Sequence, residues 1–427
     1  MIVTKFGGSS CANSLQFKKV KDIVESDSQR KVVVVSAPGK HRGDNFKITD
    51  TLYLCYQLSR EQLDTSEIFE KIADRYRAIR NDLELTFPLE EELDIIRGKL
   101  VSGSSEDYVI SRGEYLNAQL MAEFLDYEFV DAKDLVVFDA DRKYDQAATY
   151  KVLKEFAAER PEDAKGIVVP GFYGATPDGE IVTFPRGGSD ITGSILAAGL
   201  KADLYENWTD VAGFLVADPK IVDNPKRINS LSYVELRELS YSDSQIIQAD
   251  AIAAAREAEI PLSIKNTNDP ENPGTMIHSK KPDNGQLVTG IAGQQNFTVI
   301  HLKKYGRNED YGFIRKVCTI LEAHKITIHH MPTSLDTMSI IFHIDNKKEL
   351  KQIIEQIELY CHPDHSSYEQ NMALITVVGE SMAYQPGIAG KVFSALGSKG
   401  VNIRMITQGA SEYNIIVGIE SHQYDLA

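Results

Sequence analysis

The stretch that most constrains this chain is the run of six residues from Lys5 to Ser10, Lys-Phe-Gly-Gly-Ser-Ser. It follows a short apolar strand pattern at residues 1–3 and precedes apolar residues at helical spacing between 15 and 24. Glycines let backbone N–H groups approach an anion closely, and a helix N-terminus adds partial positive charge. Because Lys5 adds a full charge, the stretch predicts a phosphate-binding turn, although it is not the Walker A pattern. A turn without a ligand is the alternative.

Length and charge limit the classes of function. A chain of 427 residues is expected to form two or three domains. With 46 Lys and Arg against 62 Asp and Glu, the net charge is −16, which argues against nucleic acid or an anionic membrane as the main partner. The 4 cysteines form no CxxC pair and favour a reducing compartment. Without a membrane-spanning apolar run or a signal peptide, we expect a cytoplasmic protein.

Strands and helices alternate up to about residue 274, which predicts a three-layer α/β domain with a mainly parallel sheet. The β-branched run at 31–35 is typical of a strand buried on both faces. Further strands are predicted at 128–130, 135–138 and 166–171, and the Ser-Arg-Gly-Glu motif at 111–114 is predicted to precede a helix. A second glycine-rich turn, at 184–190, leads into a helix for which Ser189 or Asp190 suits the N-cap.

A segment rich in Pro, Asn and Gly at 270–285 predicts a boundary between a first domain at 1–285 and a second at 286–427. Beyond it, two units begin near Thr298 and Ala373 in the order strand, helix, strand, strand. This order starts a ferredoxin-like βαββαβ module, and we place the modules at about 296–365 and 370–427. Paired modules of this kind indicate a ligand-sensing regulatory domain, with a dimerisation appendage as the alternative.

Four motifs, at 5–10, 111–114, 186–190 and 207–213, occur together in this order, and with them the chain resembles the aspartokinases of the amino-acid kinase fold. The resemblance continues through Asp218-Pro219, 264–267 and 411–415. It implies that MgATP phosphorylates the side-chain carboxylate of L-aspartate to 4-phospho-L-aspartate, in the biosynthesis of lysine, threonine and methionine. It also implies C-terminal ACT modules that bind lysine and/or threonine as inhibitors and that join subunits into a homodimer or homotetramer.

The resemblance assigns roles residue by residue. Catalytic roles are implied for Lys5, Arg186 and Asp190. The substrate is expected at Thr49, Glu114, Arg186 and Ser189, where Arg186 offers a planar fork for the α-carboxylate and Glu114 a charge for the ammonium. ATP, with Mg²⁺, is expected at Lys5, Phe6, Gly7, Gly8, Ser9, Thr209, Asp210, Leu215 and Lys220. An effector pocket is expected at Met331, Thr333, Ser334, Asp336 and Ser339. No residue is assigned as a protein ligand of a metal.

Several alternatives stay open at this point. Gln245 replaces a lysine that touches nucleotide in many aspartokinases, so a non-catalytic amino-acid sensor is one rival. A kinase acting on glutamate or N-acetylglutamate is another, although such relatives lack the combination of Ser-Arg-Gly-Glu with ACT modules. A fused homoserine dehydrogenase is not expected, because the chain has no Gly-x-Gly-x-x-Gly. Glu114 could simply start a helix, and Asp190 could be only an N-cap.

Overall fold

The computed structural model describes residues 1–40, 46–161, 163–185, 187–240, 247, 249–281, 285–307 and 309–427. The chain divides into two compact units. The first comprises Met1–Phe214, Arg227–Leu236 and Gln245–Pro282, and the second comprises Leu215–Lys226, Arg237–Ser244 and Asp283–Ala427. Within the described ranges, no helix combines the length and the apolar character needed to cross a bilayer.

The first unit is built around one large sheet. The strands up to residue 280 are β1 (Ile2–Phe6), β2 (Arg30–Val35), β3 (Glu128–Phe129), β4 (Ile167–Pro170), β5 (Tyr173–Ala175), β6 (Ile181–Thr183), β7 (Leu204–Thr209), β8 (Ser230–Ser232), β9 (Leu262–Asn266) and β10 (Thr275–His278). The helices are α1 (Ser14–Glu25), α2 (Ile48–Arg60), α3 (Ser66–Asp82), α4 (Leu89–Val101), α5 (Glu106–Leu125), α6 (Gln146–Glu159), α7 (Gly188–Gly199), α8 (Tyr233–Ser240) and α9 (Ala253–Glu257).

In the described part of the chain, eight strands form the large sheet in the order β3-β4-β2-β1-β7-β9-β10-β8. Neighbouring strands run parallel except β9 and β10, which are antiparallel. The expected mainly parallel sheet is confirmed, and the valines at 32–35 are buried because helices cover both faces. In such a sheet the carboxyl ends of the strands share one edge, where ligands of open α/β sheets bind. Lys5 and Thr209 lie at the ends of β1 and β7 on this edge.

The second unit contains an antiparallel sheet. Its strands are β11 (Gly290–Lys303), β12 (Ile328–His330), β13 (Thr337–Phe342), β14 (His365–Val378), β15 (Met405–Gln408) and β16 (Asn414–Glu420), and its helices are α10 (Phe313–Ala323), α11 (Lys347–Cys361) and α12 (Ile388–Ser398). Among the residues described, the six strands follow the order β12-β13-β11-β14-β16-β15. The long strands β11 and β14 pair along their whole length, so one sheet continues through both expected modules.

Two local expectations from the sequence are wrong. Residues 135–138 do not form a strand, because the backbone of Val137 bonds to Thr149 and Asp145 instead, and only isolated bridges remain at 137 and 138. The motif at 111–114 does not precede a helix but lies in the middle of α5, since Ser105 caps that helix by accepting the Tyr108 N–H at 3.3 Å. Glu114 is therefore not a helix-starting acid.

Candidate active site

Lys5 is buried at the end of β1, and its charge is met by one carboxylate. The Lys5 Nζ lies 2.6 Å from Oδ1 of Asp190. In the parallel register, Lys5 is paired with Asn207 of β7, and the Nδ2 of Asn207 donates to the same Asp190 oxygen at 2.6 Å. One carboxylate thus holds a lysine and an amide side by side at the binding edge of the sheet. Asn207 belongs to a motif that the sequence singled out, but its pairing with Lys5 and its hydrogen bond to Asp190 are visible only in the structure.

Asp190 lies in the first turn of α7. The residue before this helix is Gly187, whose φ of 83° is left-handed and suits glycine, and none of the described side chains caps the helix. The expectation that Ser189 or Asp190 is the N-cap is therefore wrong, because the Asp190 carboxylate bonds to Lys5 and Asn207 instead. Ser189 is buried against Gly171, where an added Cβ would lie 2.7 Å from the Ser189 Cβ. Arg186 lies outside the described residues, so its catalytic and substrate roles stay predictions.

The turn after β1 presents two backbone amides. A short 3₁₀ helix, Gly8–Cys11, follows Gly7, and α1 begins only at Ser14, where Asn13 accepts the Gln16 N–H at 3.0 Å. The sequence suggested that the glycine turn leads directly into the long helix, but the 3₁₀ helix separates the turn from α1. The N–H of Gly7 donates to Trp208 O at 3.0 Å, whereas those of Gly8 and Ser9 donate to no group within the described ranges. These two amides are the ones suited to an anion.

The expected nucleotide residues occupy different environments. Thr209 ends β7, and its hydroxyl donates to Asp210 Oδ1 at 3.2 Å, with Asp210 exposed. Phe6 is buried and stacks on the buried Trp208 with ring centroids 6.1 Å apart, so both rings are core residues. Leu215 and Lys220 are exposed residues of the second unit, and their roles stay predictions. Gln245 lies outside the described part of the chain.

Glu114 is a buried carboxylate with an unused oxygen. Its side chain accepts the N–H of Ala37, while Oε2 has no hydrogen-bond partner among the described residues. Burial raises the pKa of Glu114 to about 7, and the Ala37 N–H and the Arg112 charge oppose this shift. Buried polar atoms in native proteins are normally bonded, so this oxygen is available to accept a hydrogen bond from a donor group of a ligand.

Thr49 and Cys11 lie in two further segments of the first unit. Thr49 is half-buried in the first turn of α2, and the preceding N–H of Ile48 donates to Pro38 O at 3.4 Å. Cys11 is buried, which raises the pKa of its thiol to about 12, while the charge of Lys5 lowers this pKa and that of Glu114 raises it. The Cys11 thiol is therefore within electrostatic reach of both Lys5 and Glu114.

Replacing Asp190 by asparagine is expected to lower kcat by about 10- to 100-fold, less than the loss of a direct donor to the transition state. The amide keeps the shape of the side chain but removes the charge that fixes the Lys5 ammonium. Steady-state kinetics and a thermal melt measure the effect. The matched control is Asp131→Asn, because Asp131 is a buried carboxylate of the same unit that accepts the Tyr173 hydroxyl at 2.7 Å. If Asp190→Asn and the wild type have equal kcat, Asp190 does not position the Lys5 ammonium for catalysis.

Comparisons with known proteins agree with the geometry. Sequence profiles of the amino acid kinase family and of the ACT domain match residues 1–266 and 375–427. Aspartokinase 3 of Bacillus subtilis is 39% identical over 434 residues, which cover 98% of this chain and 95% of that protein. The chain belongs to the aspartokinase family. The fold class and the family resemblance predicted from the sequence are thereby confirmed.

Solved structures extend this likeness over the whole chain. The crystal structure of Clostridium acetobutylicum aspartate kinase matches with a TM-score of 0.95 and 45% identity, covering 100% of this chain and 98% of that one. Escherichia coli aspartokinase III, solved in complex with lysine and aspartate, matches with a TM-score of 0.79 and 26% identity, covering 100% and 97% of the two chains.

Proposed function

We propose that this chain transfers the γ-phosphoryl group of MgATP to the side-chain carboxylate of L-aspartate, which yields 4-phospho-L-aspartate and ADP. The observation that carries the proposal is the buried Glu114 carboxylate, whose Oε2 finds no donor among the residues that the structure describes. An amino-acid substrate brings an ammonium group with three N–H donors, which suits such an oxygen. The Clostridium and Bacillus relatives, which are named for this activity, support the same assignment.

The reaction needs charge neutralisation more than proton transfer. The substrate carboxylate, with a reference pKa of ~3.9, is ionised near pH 7 and needs no general base. One of its oxygens forms a bond to the γ-phosphorus while the bond from that phosphorus to the β,γ-bridging oxygen breaks, and ADP leaves with the electron pair. Two anions must therefore approach, and positioning with charge stabilisation supplies most of the catalysis. Lys5, held by an Asp190 carboxylate that also accepts a hydrogen bond from Asn207, would stabilise the transferring group, and the Gly8 and Ser9 amides would contact phosphate oxygens.

Magnesium fits this arrangement as part of the nucleotide. Mg²⁺ prefers oxygen ligands and is usually bound by one or two carboxylates together with substrate phosphates. Asp190 and Asp210 are the carboxylates near the proposed phosphate turn that could complete its coordination. When bound, the ion would neutralise phosphate charge.

The proposal is tested with ATP, aspartate and hydroxylamine, which traps an acyl phosphate as a hydroxamate. We expect aspartyl hydroxamate and ADP to form in equal amounts, with little product from glutamate or N-acetylglutamate. If the purified protein forms no aspartate-dependent product but still binds an amino acid in calorimetry, the sensor alternative is correct. A preference for glutamate would instead favour the other kinase alternative.

Regulation by lysine, threonine or both is proposed for the second unit, because the Escherichia coli relative was solved with lysine bound. The expected effector residues lie around β12 and β13. Ser339 Oγ lies 2.9 Å from His301 Nδ1, and Met331 packs against the core under α10 and α11. Adding the two amino acids separately and together to the hydroxamate assay identifies the effector. We also propose that the protein forms a homodimer or homotetramer, which sedimentation of the purified protein tests. A cytoplasmic location is proposed as well.

A further inference from the structure

One peptide bond near the proposed substrate site is held on both sides by α5. The carbonyl oxygen of Ser36 accepts the Nδ2 of Asn117 at 2.7 Å. The N–H of Ala37 belongs to the same peptide unit and donates to the Glu114 side chain. Glu114 and Asn117 are three residues apart and therefore neighbours on one helix face. We call this arrangement, Glu114 and Asn117 on either side of the Ser36–Ala37 peptide, the peptide clamp.

Asn117 contacts the clamped peptide through its amide nitrogen, and its side chain is also hydrogen-bonded to the buried Cys11 thiol. It is fully buried, and its Oδ1 has no hydrogen-bond partner in the part of the chain described. Because an amide nitrogen donates and a carbonyl oxygen accepts, the contact with Ser36 fixes which end of the amide faces that residue. A side chain kept at full burial with half of its polar atoms unused is costly, and a leucine of similar size would fill the space without that cost.

The clamped peptide also reaches the proposed phosphate turn. Two residues after it, the N–H of Gly39 donates to Gly8 O at 2.8 Å. The backbones touch there, since a Cβ on Gly39 would lie 2.6 Å from the Gly8 carbonyl carbon. On the other side, an added Cβ on Gly113 would lie 2.9 Å from the Ala37 Cβ, so α5 and the loop are also in close contact. Segment 36–39 therefore forms a rigid connection between Glu114 and Gly8.

From this geometry we infer that Asn117 is a positioning residue for the proposed reaction. It acts through the clamped peptide: it fixes the Glu114 carboxylate for the substrate ammonium and, through Gly39, the turn that contacts phosphate. The inference rests on the proposed function and adds to it a residue to which neither the sequence motifs nor the comparisons give a role. Loss of the clamp displaces Glu114 directly, whereas it displaces Gly8 only indirectly, through Gly39. The affinity for aspartate is therefore expected to fall more than the affinity for ATP.

The titration of Glu114 reports whether the carboxylate has moved. In the part of the chain that the structure describes, the titratable groups that interact with it are Arg112 on α5, Cys11 of the 3₁₀ helix, Tyr53 of α2 and Tyr76 of α3. Burial raises the pKa of the Cys11, Tyr53 and Tyr76 groups, so these three are neutral near pH 7. A new carboxylate at position 117 would add a negative charge beside Glu114 and raise its pKa further.

The test compares Asn117→Leu and Asn117→Asp with a matched control, Thr149→Val. Thr149 is also fully buried, and its hydroxyl accepts the Val137 N–H at 2.9 Å, away from the site. We expect Asn117→Leu to raise KM for aspartate about tenfold or more and KM for ATP less. Asn117→Asp is expected to move the acidic limb of the aspartate KM profile up by about one pH unit. Thr149→Val should lower only the melting temperature.

The outcomes separate this inference from the proposed function. A wild type without aspartate-dependent turnover contradicts the function itself. If the wild type is active, the Asn117 variants decide the inference. Variants that lose stability as Thr149→Val does, but keep both KM values and the acidic limb of the aspartate KM profile, would show that Asn117 has only a structural role. That result would overturn the inference. If Asn117→Leu does not fold, Asn117→Ser is measured in its place, since it is smaller and too short to reach Ser36 in the same way.

Discussion

Replacing Lys5 with methionine is expected to lower kcat by about 10³-fold, the upper range for removing one preorganised donor to a developing charge. Methionine keeps most of the length of the lysine side chain but removes the ammonium that lies 2.6 Å from Asp190. The charge would act mainly on the transferring phosphoryl group, so the loss should be seen in kcat. Aspartate, held through Glu114, should still bind with nearly unchanged affinity in calorimetry.

The control for this experiment is Lys31→Met. Lys31 lies on the neighbouring strand β2, and its Nζ donates to the carbonyl oxygen of Ala164 at 3.1 Å, away from the edge that carries Lys5. We expect this variant to keep the wild-type kcat. If the Lys5→Met protein folds, binds aspartate and retains more than about a tenth of wild-type turnover, the charge of Lys5 is not required for phosphoryl transfer.

The sequence alone could predict the groups that carry charge. Lys5, Glu114 and Asp190 stand in short motifs whose residue types suit phosphate and amino-acid binding, and the structure places Lys5 and Asp190 in contact. Asn207 and Asn117 could not be predicted in the same way. Their roles depend on which residue lies opposite in a neighbouring strand and which loop a helix face meets, and these are tertiary relations. Asn117 stands in none of the motifs, and the motif that contains Asn207 does not show which residue its side chain contacts.

The local errors have a similar origin. At 135–138 the apolar run resembled a strand, but the N–H and C=O groups of Val137 bond to Thr149 and Asp145, and pairing with Ala175 of β5 is limited to an isolated bridge. At Ser189 and Asp190, residue preference favoured a cap, but the Lys5 ammonium and the Asn207 amide attracted the Asp190 carboxylate more strongly. In both cases a tertiary partner outweighed a local propensity.

The affinity of the enzyme for aspartate is expected to fall as the pH drops below 7. Burial raises the pKa of Glu114 to about 7, so the carboxylate is charged above that pH and protonated below it. A protonated Glu114 offers no charge to the substrate ammonium. KM for aspartate should therefore rise up to about tenfold for each pH unit below 7, while KM for ATP changes little. Initial rates between pH 5.5 and 8.5 measure both constants.

Glu114→Gln is expected to raise KM for aspartate by about 100-fold at pH 8 and to abolish this pH dependence, because the amide is neutral throughout. The same change should stabilise the free protein in alkali. In the unfolded chain the carboxyl ionises near 4.5, whereas in the folded chain it holds its proton up to about 7. Its contribution is thus favourable below 4.5 and is lost as the pH rises to 7, a difference on the order of 3 kcal/mol.

The melting temperature of Glu114→Gln should therefore exceed that of the wild type at pH 8 and approach it at pH 5, and added aspartate should stabilise the wild type alone. Glu123→Gln is the matched control on the same helix, since Glu123 accepts the N–H groups of Thr86 and Phe87 away from the site. This control should keep the wild-type KM and its pH limb. If Glu114→Gln is more stable than the wild type at pH 8 but binds aspartate normally, the buried Glu114 carboxylate destabilises the folded protein and does not bind the substrate. A variant that loses binding without any change in the pH limb would mean that another group titrates, because a neutral amide at position 114 leaves no carboxyl there to protonate.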